Sequence, residues 1–237
     1  TVNPLKLAAA SAKAAADAGA TLVEHCSAES ITRLAAGWRV KTSMGVVECN
    51  KLLVCTNAYT ANTLFGPLTC RSLPVLSSII TTPPLTEEQL QQTHLTPQHA
   101  FMDTRTLKYY FRLLPDNRLL MGGRGAIRGR NANDPFYAQH LLNALKSSFP
   151  ALADIKQWQH FWSGWVSVSL DDYPRVGAVA DNAYAAMGYC GAGVSFSALA
   201  GQRLAEAAMG DKLPDLPYYK TPLKRFPFAP LRRIGQW

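Results

Sequence analysis

The 237-residue chain has no apolar run of 18 residues, so the sequence predicts no membrane-spanning helix. It has no C-x-x-C motif and no Cys/His pairing at zinc-site spacing. Its five cysteines, Cys26, Cys49, Cys55, Cys70 and Cys190, are odd in number and scattered. That argues against a disulfide framework and for a reducing, cytoplasmic location. Cys49 and Cys55 lie in or beside apolar strands and read as buried thiols. The five histidines (His25, His94, His99, His140, His160) show no paired spacing, so none is assigned a metal or a catalytic role. No G-x-S-x-G elbow surrounds Ser195 or Ser197, which excludes the usual serine-hydrolase arrangement. Glycine (16) and proline (15) are too few and too dispersed for a collagenous or low-complexity chain. No initiator Met and no basic-then-apolar leader pattern opens the chain at Thr1-Val2-Asn3-Pro4, and the expectation is a processed or truncated polypeptide.

Acid is also scarce: 16 Asp and Glu stand against 24 Lys and Arg, a formal charge of +8. Lys220, Lys224, Arg225, Arg232 and Arg233 lie in an acid-free tail that carries five of those charges. A nucleic-acid binder would carry its basic stripe through the fold, so no nucleic-acid partner is expected. Arg124, Arg128 and Arg130, in the run MGGRGAIRGR, read as a strand end followed by a basic loop rather than an RNA-binding patch. With 48% apolar and 17% charged residues, the chain can bury a sizeable core.

Asn3-Pro4 is a helix start, and the Ala-rich run 5–18 carries Leu5, Ala8, Ala9, Ala12 and Ala16 on one face, ended by Gly19. Strands are expected at Thr21–Cys26, Ala28–Leu34, Trp38–Thr42, Val46–Cys49 and, buried, at Lys51–Cys55. After Pro67 the texture becomes β-rich. Strands are expected at Leu73–Thr82, Ala100–Thr104, Lys108–Leu114, Arg118–Gly122 and Trp158–Ser169, with a Pro115-Asp116-Asn117 turn. Helices are expected at Glu87–Gln92 and Asn133–Phe149. The chain then gives strands Arg175–Val179 and Tyr184–Gly188, a glycine turn, and a helix from Val194 to Met209 ended by Gly210. Residues 211–237 read as an extended surface tail, in which Phe226, Phe228 and Trp237 pack on their own domain. The fold class is α+β. The first and last parts read as one layered α/β unit, discontinuous at 1–66 and 166–237, interrupted by a β-rich domain at 67–165.

The segment Gly188-Tyr189-Cys190-Gly191-Ala192-Gly193-Val194-Ser195 lies between an apolar strand and a long helix. Glycines there allow a tight turn and close approach of a ligand, and the helix start presents free N–H groups and partial positive charge to an anion. A plain strand–helix connection accounts for such a turn as well. Trp158, Trp162 and Trp165 cluster nearby. Strand alternation places the first two on one face and the third on the other, either as packing or as an aromatic wall.

Taken with W-x-G at Trp162–Gly164, Asp171, Pro174 and Gly177, this turn resembles the C-terminal half of the D-amino-acid-oxidase-like FAD-dependent oxidoreductases. The γ-glutamylputrescine-oxidase-like branch is the nearest in pattern. Val54-Cys55-Thr56-Asn57-Ala58-Tyr59 is similar to that family's strand end beneath the flavin, and Tyr110-Phe111-Arg112 through Gly122-Gly123-Arg124 to its substrate-domain sheet. The resemblance implies an enzyme with FAD as cofactor that transfers hydride from the carbon of an amine C–N bond to flavin N5. It implies cofactor contacts at Asn57, Ala58, Gly164, Gly188, Gly191, Gly193 and Val194, with Val23 to Ala28 beside the adenine. A substrate pocket for a small-molecule amine would be lined by Tyr110, Arg112, Trp162 and Val166. No catalytic side chain is named, because hydride transfer from a neutral amine depends on orientation more than on one acid or base.

Two departures from that family pattern matter. The G-x-G-x-x-G unit that anchors the dinucleotide is absent, so a partner chain or a missing N-terminal segment is expected to supply it, and the chain alone is expected to be inactive. Glycine- and D-amino-acid-oxidase-like members carry an Arg two residues after the Gly of W-x-G, whereas this chain has Val166. An amine whose carboxylate is remote or absent therefore fits better than an α-amino acid. The competing readings are a non-catalytic subunit that acts with a partner and, on the charge alone, a nucleic-acid-binding protein.

Overall fold

The computed structural model describes residues 2–105 and 108–227. In chain order the elements are α1 (Pro4–Asp17), β1 (Ala28–Arg33), β2 (Trp38–Thr42), β3 (Gly45–Cys49), β4 (Leu52–Val54), β5 (Leu73–Pro84), α2 (Glu87–Thr93) and β6 (Phe101–Met102). Then follow β7 (Tyr110–Leu113), β8 (Arg118–Arg124), α3 (Pro135–Ser148), β9 (His160–Val168), β10 (Arg175–Ala180), β11 (Ala183–Met187), α4 (Gly193–Met209) and α5 (Pro217–Lys220). The mixture of helix and sheet is the expected α+β class. The chain divides into two compact units, one at Val75–Trp165, the other built from Val2–Pro74 and from Val166 onward.

In the Val75–Trp165 unit, five strands run in the order β6-β7-β8-β5-β9, with α3 on one face. Asp134 caps α3 by accepting a hydrogen bond from the Phe136 N–H (3.0 Å), and Pro135 presets the first turn. The spacing of Ala138, Leu141, Leu142 and Leu145 puts four apolar side chains on one stripe, and all are fully buried against Ile80, Leu113, Leu119 and Met121. At about 1.5–3 kcal/mol per buried large aliphatic side chain, this seam is the main stabiliser of the unit. The expected turn at 115–117 forms, with Asn117 in the left-handed region (φ 63°) and the Leu114 N–H donating to Arg118 O (2.8 Å). α2 starts with a reciprocal cap between Thr86 and Gln89.

The second unit contains two three-stranded sheets, the antiparallel meander β1-β2-β3 and the mixed sheet β10-β11-β4. Strand β4 runs parallel to β11, with Ala185 opposite Val54. The mixed sheet is covered on both faces. Val176 and Ala186 meet Ala200 and Leu204 of α4. Ala183, Ala185 and Met187 meet Trp38, Leu64, Phe65 and Leu68 on the other side, where Trp38 and Phe65 pack edge to face at 5.2 Å.

Several expectations fail. No strand forms at Thr21–Cys26. His25 turns into the left-handed region (φ 56°), and Leu22 and Val23 are exposed with no strand of described residues paired to them. Cys55 is exposed, since β4 ends at Val54, and Cys49 is only half-buried; Cys70 is the buried thiol. Trp158 precedes β9 and packs against the α3-covered core, whereas Trp162 is 41% exposed, so the two do not share a face. The tail is not uniformly extended. It includes α5, buries Leu223, and donates the Phe226 N–H to Cys70 O (2.9 Å). Phe228, Trp237, Arg232 and Arg233 lie outside the described residues.

Candidate functional site

In the discontinuous unit, the parallel pairing of β4 and β11 brings their C-terminal ends side by side. Each strand is followed by a loop, and the two loops meet at that edge, where open α/β sheets hold ligands. After β4 the chain makes a short 3-10 turn, Asn57–Tyr59, in which Ala58 is buried. Asn57 takes a left-handed conformation (φ 44°), and its Oδ1 accepts a hydrogen bond from the Gly188 N–H (3.1 Å) across 131 residues. Two residues nominated from sequence for the same ligand are thus in direct contact.

The turn after β11 requires its first glycine twice over. Gly188 has φ 79°, and a Cβ there would lie 3.2 Å from both Ser169 Cβ and Leu223 Cδ2. Gly191 is also left-handed (φ 96°), with open space around it. Between them Cys190 is left-handed too (φ 51°) and is heavily tethered. Its N–H donates to Ser167 O (2.9 Å), its thiol donates to Gly188 O (3.2 Å), and its sulfur accepts from the Ser169 N–H (3.3 Å). Ser169 Oγ, 3.4 Å from that sulfur, donates to Tyr173 O (2.9 Å). Sequence reasoning missed Ser169 and Cys190 as supports. A cysteine between turn glycines was the one available signal.

The turn feeds into α4 at Gly193. No side chain caps this helix, no acid stands in its first turn, and Val194 is 50% exposed. The first N–H groups are therefore open to an anionic or electron-rich ligand edge. Tyr189 is pushed up to about 12 by burial of its phenol and by the nearby Cys55; Cys55 is exposed as a residue, but neighbouring atoms partly enclose its thiol and raise it as well. Both stay protonated at neutral pH, so neither serves as a base beside the turn. Behind it, Asp171 and Arg175 form a 2.7 Å ion pair, and the nearly buried guanidinium also donates to Thr221 Oγ1 (2.8 Å) and Tyr173 O (2.9 Å). Burial pushes the Asp171 carboxyl up, but the hydrogen bond and charge of Arg175, with Lys224, outweigh it and hold the group below the usual range. Asp171 is thus a structural partner that fixes the start of β10.

In the Val75–Trp165 unit, strand alternation sorts the nominated residues. Phe111, Leu113, Leu119 and Met121 face α3. Tyr110 and Arg112 therefore face the other way. Gly122, paired with Tyr110, lets that ring lie flat on β8: a Cβ there would stand 2.2 Å from the ring. The Tyr110 hydroxyl meets Ser77 Oγ at 2.9 Å. Burial raises the phenol, with the Ser77 hydrogen bond opposing in part. Trp162 and Gly164 sit two apart on β9, Gly164 with open space above it. Val166 occupies the next position of that phase and begins the other unit. Among the described residues no group of three His, Cys, Asp or Glu side chains is arranged to hold a metal ion, and no helix is long and apolar enough to cross a membrane.

Comparison with known proteins is consistent with this geometry. The family profile of the DAO FAD-dependent oxidoreductases matches residues 1–207. Gamma-glutamylputrescine oxidoreductase of Escherichia coli (strain K12) is 33% identical over 202 residues, covering 83% of this chain and 46% of that protein. Glycine oxidase from Geobacillus kaustophilus has the same fold with a TM-score of 0.74 at 22% identity, over 93% of this chain and 57% of that one. L-proline dehydrogenase from P. horikoshii matches with a TM-score of 0.72 at 20% identity, over 92% of this chain and 58% of that one. The chain spans about half the length of the curated relatives it matches.

Proposed function

We propose that this chain, which belongs to the DAO family of FAD-dependent oxidoreductases, forms the flavin-ring turn and the substrate sheet of an enzyme that oxidises the C–N bond of an amine. FAD held along Asn57 and the Gly188–Val194 turn would supply the two-electron acceptor for hydride from the carbon of a neutral amine's C–N bond. The observation that carries the reading is the Gly188–Val194 turn, held by Asn57 and Cys190 and opening onto an uncapped helix start. A Cβ-free cradle beside free N–H groups suits a flat ring with electron density on its pyrimidine edge. Asn57 and Ser167 hold the turn's backbone in place, Ser169 anchors the Cys190 sulfur, and Tyr189 and Cys55 remain neutral beside it. Val166, where related α-amino-acid oxidases carry a carboxylate-binding Arg, favours an amine with a remote or absent carboxylate, in line with the γ-glutamylputrescine-like branch. The odd, unpaired cysteines favour a reducing, cytoplasmic setting.

The pyrophosphate contacts come from residues outside this chain, on a partner chain or an N-terminal segment. Two observations support that. The chain has no G-x-G-x-x-G, and the discontinuous unit leaves patterned surfaces uncovered. On α4, Val194, Ala198, Gly201 and Ala205 form an exposed small-residue stripe, and Leu53 of the edge strand β4 is 41% exposed. The test is a pair of FAD titrations, one on the 237-residue chain and one on a longer product of the same gene or a co-purifying complex. The expected result is weak or no binding by the chain alone. The larger species should be yellow and bleach when an amine is added without oxygen. Sub-micromolar FAD binding by the chain alone would overturn the division of labour. A larger species that stays colourless in excess FAD would overturn the flavin reading itself.

A further inference from the structure

We propose that the face of the Val75–Trp165 sheet opposite α3 binds a carboxylate carried by the substrate away from its reacting amine, and that Arg124 is the side chain that grips it. The inference deepens the amine reading above and rests on it.

Strand alternation fixes where Arg124 points. Gly123 faces α3, since a Cβ there would meet Leu141 and Tyr109, so Gly122 and Arg124 face the opposite side together with Tyr110. None of the five strands of this sheet carries an Asp or Glu. The one other arginine on β8, Arg118, is paired with Asp116 at 3.4 Å. Arg124 is half-buried, and among the described residues its guanidinium has no hydrogen bond or ion pair. A guanidinium partly withdrawn from water and left unpaired is costly, and an anionic ligand removes that cost.

The neighbours of Arg124 suit a carboxylate. Ser77 lies opposite Arg124 in the ladder, and its hydroxyl meets the Tyr110 hydroxyl at 2.9 Å. Ser77 Oγ also donates to Gly123 O (3.1 Å), so the Tyr110 hydroxyl donates to Ser77 and the pair is internally satisfied. A cation therefore stands beside a neutral polar patch with no competing acid, and the guanidinium itself supplies the donors that grip a carboxylate. Trp162, 41% exposed on β9, adds apolar surface to the sheet. The strand order β8-β5-β9 separates Arg124 from β9 by two strand spacings, roughly 10 Å. Val166 at the W-x-G position offers no cation for an α-carboxylate, so an anion gripped at Arg124 is one carried elsewhere on the substrate.

The test uses two probes of equal chain length, δ-aminovalerate and pentylamine, which differ in carrying a carboxylate or a methyl group. Each is titrated into the 237-residue protein while the backbone amides of Tyr110, Gly122 and Arg124 and the Arg124 Nε–H are followed by NMR. The expected result is roughly tenfold tighter binding of δ-aminovalerate. In Arg124→Gln that preference disappears while pentylamine binding and the α3 resonances are unchanged, and Arg124→Lys keeps part of it. Equal affinity for the two probes, a preference that survives Arg124→Gln, or no shift with either probe at millimolar concentration overturns the proposal. Flavin binding is read separately by colour. A colourless larger species whose sheet still prefers δ-aminovalerate would remove the oxidase reading and leave the carboxylate site standing.

Discussion

Helices α3 and α1 are each 14 residues long, and each starts with a capped Pro turn. They meet opposite fates. α3 sinks Ala138, Leu141, Leu142 and Leu145 into a continuous core. α1 buries nothing: Leu5 is 78% exposed and Leu7 41%. The same contrast runs through their units. The Val75–Trp165 sheet has its α3 face closed by its own helix, whereas the discontinuous unit ends in an open strand edge at β4 and the bare small-residue stripe of α4. One unit completes its core from a contiguous run of chain. The other presents surfaces patterned for contact but covered by none of the described residues. Local sequence suffices to start a helix, and only tertiary cover decides what the helix is worth.

The largest test of that contrast is a matched pair of truncations. Leu142→Ala in α3 should cost about 3 kcal/mol in urea unfolding, because it opens a cavity in a fully buried seam. Leu5→Ser in α1 should stay within about 0.5 kcal/mol. If both truncations cost the same, α1 is covered in solution and the contrast fails. Next comes Gly188→Ala, which forces a side chain into a left-handed position with 3.2 Å neighbours on both sides. It should cost roughly 2 kcal/mol and weaken FAD binding by the complete enzyme at least about tenfold. Unchanged FAD affinity would separate the turn from the cofactor.

A smaller effect belongs to Asp171, the partner of the nearly buried Arg175. Asp171→Asn should cost roughly 1–2 kcal/mol at neutral pH, discounted because the carboxylate is partly exposed. Its folded pKa lies below the unfolded value near 3.9, so its contribution is present above about pH 4 and is lost as pH falls through the lower folded value. The variant should therefore show a flatter stability profile below about pH 4 than the parent protein in acid titrations followed by circular dichroism. The smallest effect sharpens the comparison by its sign. Gly201→Ala lies on a bare part of α4 and should stabilise the chain alone by about 0.5–1 kcal/mol through helix propensity. The same methyl should weaken assembly with whatever packs on that stripe, which size-exclusion chromatography of the complex would reveal.

Much of the element order was legible in the sequence, because caps, turns and apolar periodicity act locally. The Asp134-Pro135 start of α3, the Asn117 turn and the Gly210 stop of α4 all form as expected. What was not legible depended on distant partners. Thr21–Cys26 has strand-like composition, but a strand exists only where another pairs with it. Cys55 reads as core from its apolar neighbours, yet β4 ends one residue before it. The Asn57–Gly188 contact joins two motifs that the sequence marked separately, and no spacing rule connects them. Arg124 looked like the edge of a basic loop. Its meaning emerges only when the ladder shows which face it shares with Tyr110.

The parallel pairing of β4 with β11 also dictates an order of events as the chain is made. Leu52 cannot find Ala183 until the whole intervening stretch has been synthesised, including the contiguous Val75–Trp165 unit. That stretch makes its own contacts and can settle while β4 waits with its edge unfilled. Closing so long a loop costs only slightly more than closing a short one, so the delay is kinetic rather than energetic. The Gly188 turn therefore meets Asn57 late, and Leu223, a further neighbour that hems it in, later still.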